Sequence, residues 1–235
     1  MDPLFLGVFN VVSCCVLWFL AEYQLEHKIE KDREKQFIRS FAYDIKADTA
    51  RLNYLIKARI MRDIRLDSLS ILMNSPSPGE HTNYIYFYAV TATRLLPVRF
   101  LPNDGTLQQL KNSGAFRLIR SREVADSIGK YDVSVRNFIQ QQELEDVLAH
   151  DYRSAAAKMF DALFFEPMLD ENNNPTRLIA GNPALSPYEK TDLREWNYKL
   201  YSMKALNKAN RRDARLLLTQ AENLLATLNK KYRLN

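Results

Sequence analysis

Between Gly7 and Pro76 the sequence contains neither glycine nor proline. Because these two residues are the strongest helix breakers, a single helix can run through the whole segment. Its first part, Pro3–Ala21, has no charged side chain and is long enough to cross the hydrocarbon core of a bilayer. The sequence therefore predicts a transmembrane helix that continues beyond the membrane as a stalk.

The apolar run favours a retained anchor over residues 1–24. Eleven Leu, Phe and Val residues lie between Leu4 and Leu20, which favours insertion by roughly 3 to 7 kcal/mol before polar residues are counted. A cleavable signal peptide would need a basic start and small residues before the cut. Here the chain starts with Met1-Asp2, and Phe19 lies at the −3 position relative to Ala21.

The charges around the span bear on its direction. Five basic residues follow the span and none precedes it, and the positive-inside rule then places the large domain in the cytoplasm. These residues are Lys28, Lys31, Arg33, Lys35 and Arg39.

The remaining chain is typical of an all-α protein, with six glycines in 235 residues. We predict a stalk helix over 25–75 and a helical bundle over 76–235, interrupted by an irregular loop at 166–186. The predicted helices of the bundle cover 81–95, a short segment from Asn103-Asp104-Gly105 to Gly114, Ser121 to Phe165, and Ser186-Pro187 to Tyr232. The predicted fold is a transmembrane helix continuing into a long-helix antiparallel bundle, in part a coiled coil.

Apolar residues at three- and four-residue steps predict the inward faces of the long helices. For the stalk these include Leu52, Leu55, Ile64 and Leu69. For the helix after Ser121 they include Phe138, Leu144, Val147 and Leu148. For the last helix they are Trp196, Leu200, Met203, Leu217, Ala221, Leu224 and Leu228, with Asn207 or Asn210 entering the stripe midway.

Residues suited to catalysis or metal binding are scarce. Both cysteines, Cys14 and Cys15, lie in the apolar run, so a thiolate zinc site in the bundle is excluded. The spacing of Glu143, Asp146 and His150 could place them on one helix face, but a solvated polar face explains them better than a metal site. The sequence predicts no catalytic residue, no metal site and no cofactor, and therefore a protein that is not an enzyme.

Two basic groups are candidate binding sites. A basic interaction face on the last helix consists of Lys204, Lys208, Arg211, Arg212 and Arg215. It could meet nucleic acid, anionic lipid headgroups or an acidic partner helix, although the aromatic residues that would stack on bases are missing. A second group could bind a small anion or carboxylate ligand, although aromatic residues at such spacing more often fill a core. It consists of Arg94, Arg99, Arg117, Arg120, Tyr84 and Tyr88.

Two segments resemble a known family. Gly105-Thr106-Leu107-Gln108-Gln109-Leu110-Lys111-Asn112-Ser113-Gly114, followed by Phe116-Arg117-Leu118-Ile119-Arg120, is similar to a signature of uncharacterised single-span bacterial envelope proteins. The Asn182-Pro183 turn before the last helix adds to the resemblance. The resemblance implies an N-terminal span in the bacterial cytoplasmic membrane with the helical domain on its outer side. This is the opposite side to the one that the positive-inside rule predicts. This chain lacks the basic segment that the family has before the span.

These observations favour a membrane-anchored helical protein that works by association. We expect a scaffold, accessory subunit or sensory module of a bacterial envelope complex, with the lipid bilayer and other membrane proteins or further copies of itself as partners. One alternative is an anchored module that binds nucleic acid or anionic lipid through the last helix, with nucleic acid the less favoured. A second alternative is a small-anion sensor.

Overall fold

We describe the protein from a computed structural model, which covers residues 3–94, 99–172 and 174–234; for residues 3–16, 93 and 94 it describes the backbone alone. The described residues form five α-helices and short 3₁₀ turns, with a single isolated β-bridge between Leu169 and Pro175. The helices are α1 (Pro3–Met73), α2 (Thr82–Arg94), α3 (Gly105–Asn112), α4 (Arg122–Ala156) and α5 (Lys190–Tyr232). The predicted all-α class is confirmed.

Helix α1 is continuous over 71 residues, as the absence of glycine and proline predicts. It ends at Met73, just before Ser75-Pro76, where the amide of Asn74 and the amide and hydroxyl of Ser75 still hydrogen-bond to carbonyls of the last turn. Among the described residues, no helix contains an apolar stretch long enough to cross a membrane. Most of the predicted anchor, including both cysteines, has its side chains outside the described residues.

Two predicted helix ends are wrong, and Tyr86 of α2 explains one of them. Helix α4 ends at Ala156 rather than near Phe165, because the chain turns there and carries three phenylalanines to the ring of Tyr86. The Tyr86 hydroxyl also donates to the carbonyl of Ala184 at 3.1 Å and accepts from the amide of Asp161 at 3.3 Å. One buried tyrosine thus holds both ends of the loop between α4 and α5.

The other wrong end is the start of α5, which lies at Lys190 rather than at Ser186. The amide of Ser186 donates to the carbonyl of Met159, so this residue belongs to the loop. Glu189 takes the capping position, and its amide donates to the side chain of Asp192 at 3.1 Å. That contact is the reach-back half of a capping box, formed here by an aspartate three residues after the cap.

The chain forms two compact units. Unit 1 comprises Met1–Ala47, Asn103–Gly129 and Asn223–Asn235, and unit 2 comprises Asp48–Pro102 and Lys130–Glu222. Unit 1 buries apolar residues from α1, α3, the turn after α3, α4 and α5: Ile38, Phe41, Ile45, Leu107, Leu110, Ala115, Ile119, Val124, Ile128, Leu224 and Leu228. Helices α1, α4 and α5 each contribute residues to both units.

Unit 2 contains a contiguous apolar core at the end of α1. It includes Leu66, Leu69, Met73, Ile85, Tyr86, Tyr152, Phe160, Trp196, Leu200 and Met203. Helices α1 and α4 run in the same direction, since the hydroxyl of Tyr131 donates to Asp48 and Arg59 pairs with Glu145 further along both helices. The prediction that neighbouring long helices are antiparallel is therefore wrong for this pair, because the long segment containing α2 and α3 connects them.

Helix α5 runs antiparallel to α1 in unit 2, as predicted. Asn74 and Asn197 exchange hydrogen bonds of 3.0 and 2.8 Å between their side chains, while Arg59 contacts Asn207 further back along α1. All seven apolar residues of the predicted inner stripe of α5 are buried, and both asparagines join them. Three predicted core residues, Ile64, Leu144 and Val147, are exposed instead.

Candidate functional site

A buried network of charged and amide side chains fixes how α1, α4 and α5 meet in unit 2. At its centre, Glu145 of α4 binds Arg59 of α1 through both carboxylate oxygens, at 3.2 and 2.8 Å. Arg62 also contacts Glu145, and the side-chain amide of Asn210 on α5 donates to it at 2.8 Å. The carboxylate is therefore held by donors from both neighbouring helices.

Asn207 of α5 completes the network on α1. Its amide nitrogen donates to the carbonyl of Arg59 at 2.9 Å and to Asp63 at 2.7 Å, while its oxygen accepts from Arg59 at 3.0 Å. Arg211 of α5 also contacts Asp63. Since each contact requires one alignment of the two helices, the network specifies their register and the rotation of α1 about its own axis.

The ionisation of the network follows from these contacts. Burial alone raises the pKa of Glu145, but the hydrogen bond and charge of Arg59, with the charge of Arg62, outweigh it and lower that pKa below its ordinary value. Burial lowers the pKa of Arg62, the charge of Glu145 raises it, and the charge of Arg59 lowers it further. The network is thus a set of ionised side chains that are stabilised mainly by one another inside unit 2.

The opposite side of α1 carries exposed apolar residues at the spacing of a second helix-packing face. We call Ala50, Tyr54, Lys57, Met61, Ile64, Ser68 and Ile71 the α1 stripe; its members alternate by four and three residues, which is a heptad pattern. The side chains of Tyr54, Met61, Ile64 and Ile71 are 65%, 50%, 53% and 70% exposed. An apolar row of this length on a solvent-facing helix is typical of an interaction surface.

Basic side chains from α5 border the α1 stripe. Lys204 and Arg211, two residues of the predicted basic face, form ion pairs with Asp67 and Asp63 of α1. Lys208 lies between them on the same face of α5 and is exposed. The predicted face is therefore partly used inside the bundle and partly presented beside the α1 stripe.

The last two residues of the predicted basic face differ in their contacts. Arg212 pairs with the neighbouring Asp213 at 2.9 Å. Arg215 is exposed and, like Lys208, has no ion pair with another described residue. Lys57 within the stripe and Arg65 beside it have no such pair either. Excess positive charge thus lies in and along the α1 stripe.

The predicted anion-binding group is divided between the two units. In unit 2, Arg99 pairs with Asp146, Tyr84 is exposed, and Tyr88 packs against the core. The side chain of Arg94 lies outside the described residues. Arg117 and Arg120 belong to unit 1.

In unit 1, Arg120 is held by acceptors on α1. Its backbone amide donates to Glu34 at 2.9 Å, and its guanidinium contacts Glu30 at 3.3 Å and His27 at 2.8 Å. The hydroxyl of Tyr232 donates to the same Glu34 at 2.5 Å, and burial together with that carboxylate raises the pKa of the tyrosine. Arg120 is therefore held in place by contacts within unit 1. Arg117, in contrast, has no ion pair with another described residue.

Groups suited to metal binding do not converge in the described part of the chain, where no three His, Cys, Asp or Glu side chains are placed to hold an ion. His27 contacts Arg120, and His150 lies 3.8 Å from its neighbour Asp151. No family model, no curated protein and no solved structure matches the chain. The α1 stripe with its basic border is therefore the best candidate site, and it is identified from geometry alone.

Proposed function

We propose that the protein is a non-enzymatic scaffold or accessory subunit of a bacterial envelope complex, anchored through Pro3–Ala21, that binds an acidic amphipathic helix of a partner protein on the α1 stripe. The observation that carries the proposal is the exposure of apolar side chains at heptad spacing on a helix whose rotation is fixed by a buried network. Burying one such side chain contributes about 1.5 to 3 kcal/mol. Four of them supply a substantial driving force for association.

A helix fits this surface better than a nucleic acid or a lipid headgroup does. Phosphates are bound by rows of cations, whereas here most of the stripe is apolar, with Lys57 as its one cation and the other basic residues along its border. Two of the five basic residues on α5 are already paired with acids of α1. Alternation by four and three residues matches the knobs of a partner helix.

The charges favour a partner protein over a second copy of the chain. Two copies anchored in one membrane would have parallel α1 helices, and an in-register pair would place Lys57 opposite Lys57. The cations along the stripe would likewise face cations. An acidic helix instead places carboxylates against Lys57, Arg65 and Lys208, and such complementarity adds specificity and speeds association.

The proposal can be tested with two designed peptides and the full chain in phosphatidylcholine nanodiscs. Both peptides carry leucine at heptad core positions; one has glutamate and the other lysine at the flanking positions. We expect only the glutamate peptide to bind, measured by fluorescence anisotropy. Ile64→Asp should weaken binding by about tenfold to a hundredfold, because it removes the burial of one apolar side chain.

Leu144→Asp is the matched control, since Leu144 is an equally exposed apolar residue on α4 that lies outside the stripe. It should leave peptide affinity unchanged. Equal binding of both peptides, or equal loss in the two variants, would overturn the proposal. A full chain that sediments as a dimer, and as a monomer after Ile64→Asp, would identify a second copy as the occupant and would also overturn it.

A further inference from the structure

We propose that a groove in unit 1 binds the phosphate group of a small soluble ligand, a role separate from partner docking on the α1 stripe. The groove has a volume of about 520 Å³ and is polar. One wall is α1, which contributes Arg33, Gln36 and Ser40. The other wall is the end of α3 and the turn after it, which contribute Gln109 and Arg117.

A glycine shapes the wall that carries Arg117. Gly114 has φ +67°, a left-handed conformation that side-chain-bearing residues rarely adopt, and it ends the α3 segment. The 3₁₀ turn Ala115–Leu118 follows at once and places Arg117 on the groove. The Gly105–Gly114 segment and Arg117, which the sequence marks as a motif, thus form one wall of a cavity.

The charge balance of the groove favours an anion. Neither Arg33 nor Arg117 has an ion pair with another described residue. The one acid in the lining, Glu30, is paired with Arg120 at 3.3 Å. Two arginine charges therefore face the groove without a carboxylate paired to them. A bound anion would supply the missing negative charge.

The arrangement of donors suits a phosphate better than a carboxylate. A planar carboxylate is satisfied by one bidentate guanidinium, whereas a tetrahedral phosphate accepts hydrogen bonds from several directions. Here the donors come from two walls: Arg33, Gln36 and Ser40 on one, Gln109 and Arg117 on the other. The volume also lies within the range of about 300 to 1,000 Å³ that is usual for small-molecule sites, so it leaves room for the rest of a ligand.

A phosphate could belong to a soluble molecule or to a lipid headgroup. Arg33 lies twelve residues beyond Ala21, the end of the predicted span, which is about 18 Å along a helix. The headgroup layer on each side of a bilayer is only about 5 to 8 Å thick. This separation favours a soluble ligand.

The test uses the full chain in phosphatidylcholine nanodiscs, titrated with inorganic phosphate at constant ionic strength. Binding is followed by calorimetry and by the amide and guanidinium NMR signals. We expect Arg33→Gln and Arg117→Gln each to weaken phosphate binding by about tenfold or more, because each removes a charge-assisted hydrogen bond. Arg39→Gln is the matched control, an exposed arginine of α1 outside the groove, and should bind phosphate as the unchanged protein does.

Two further titrations identify the ligand chemistry. Acetate should bind at least about tenfold more weakly than phosphate, since it offers fewer acceptor directions. Soluble dihexanoyl phosphatidylglycerol represents the lipid headgroup. The inference is overturned if the two groove variants bind phosphate normally, if Arg39→Gln loses as much affinity, or if acetate binds as tightly. Arginine-dependent binding of the lipid without binding of inorganic phosphate would also overturn the assignment to a soluble ligand.

Discussion

Glu145 is the residue on which the alignment of helices in unit 2 depends most directly. Its carboxylate accepts from Arg59 and Asn210 and contacts Arg62, all of them buried. We expect Glu145→Gln to lower the free energy of unfolding by about 3 to 5 kcal/mol, because it leaves buried guanidinium charges without a counter-charge. Urea unfolding followed by circular dichroism measures this loss.

Glu143→Gln provides the control for that substitution. Glu143 lies on the same helix and is exposed, so the same change of chemistry should alter stability by no more than about 0.5 kcal/mol. A cost below 1 kcal/mol at Glu145, on the order of the control value, would show that the network does not hold the helices together.

The same carboxylate couples stability to pH. Burial raises the pKa of Glu145, but Arg59 and Arg62 outweigh it and keep the pKa below the ordinary value of 4.5. Because the folded-state pKa is the lower one, this stabilisation is present above the unfolded pKa and is lost as pH falls through the folded pKa. We expect the urea midpoint to fall as the pH drops below 4.5, the ordinary pKa of a glutamate, and to fall less in Glu145→Gln. Identical acid profiles for both proteins would contradict this linkage.

At the scale of the helix, the sequence correctly predicts which segments are helical and which of their faces are buried, wherever apolar residues form the core. The length of α1 follows from its lack of helix breakers, and the inner stripe of α5 follows from its apolar spacing. The end of α4 could not be predicted, because nothing near Ala156 breaks a helix. The turn there is stabilised by contacts with Tyr86, a residue some seventy positions earlier in the chain.

The prediction of which residues are buried is wrong where a helix has two apolar faces. On α4, the apolar spacing predicts Leu144 and Val147 on the inner face, but Gln142 and Glu145 lie there instead. Glu145 is met by arginines of α1, and Gln142 hydrogen-bonds to the backbone of Phe100. Periodicity assumes an apolar core, so it cannot detect a buried ion network. Ile64 is misassigned for the same reason, since the network turns the other side of α1 inward.

The candidate site could be predicted only in part. The basic face of α5 is visible in the sequence, and so is the four-and-three spacing of the α1 stripe, but spacing alone does not tell an exposed apolar face from a buried one. The pairing of Lys204 with Asp67 depends on the alignment of residues far apart in the chain. Local sequence carries no signal for that alignment.

Helix α1 as an element can be tested by a proline in its exposed middle. Arg39→Pro should cost roughly 3 kcal/mol, because proline removes one backbone hydrogen bond and clashes with the preceding turn. Arg39→Ala tests the loss of the side chain alone and should be close to neutral, since Arg39 is exposed. If urea unfolding and peptide binding of the proline variant matched those of the alanine variant, α1 would not be continuous through residue 39.

At the scale of the whole molecule, the location of the helical domain decides which ligands can reach the α1 stripe and the unit 1 groove. In the proposed anchored chain, the partner helix of the α1 stripe and the soluble phosphate compound of the unit 1 groove would both have to lie on the side of the membrane that holds the helical domain. The insertion energy of Pro3–Ala21 favours an anchored chain. The positive-inside rule, applied to the basic residues after the predicted span, predicts a cytoplasmic domain, whereas the resemblance to envelope proteins implies a domain on the outer side. We propose the outer side, on the resemblance of the Gly105–Gly114 and Phe116–Arg120 segments to envelope proteins.

This orientation can be measured with a single engineered cysteine. In a chain with Cys14 and Cys15 replaced by alanine, Asn172→Cys introduces the only thiol at an exposed loop position. We expect a membrane-impermeant maleimide to label it in intact cells, to the same extent as after permeabilisation, and the labelled chain to resist alkaline extraction from membranes. Permeabilised cells provide the control for accessibility. Labelling only after permeabilisation would place the α1 stripe and the unit 1 groove in the cytoplasm, as the positive-inside rule predicts. Release of the chain by alkali would show that it is not anchored in the membrane.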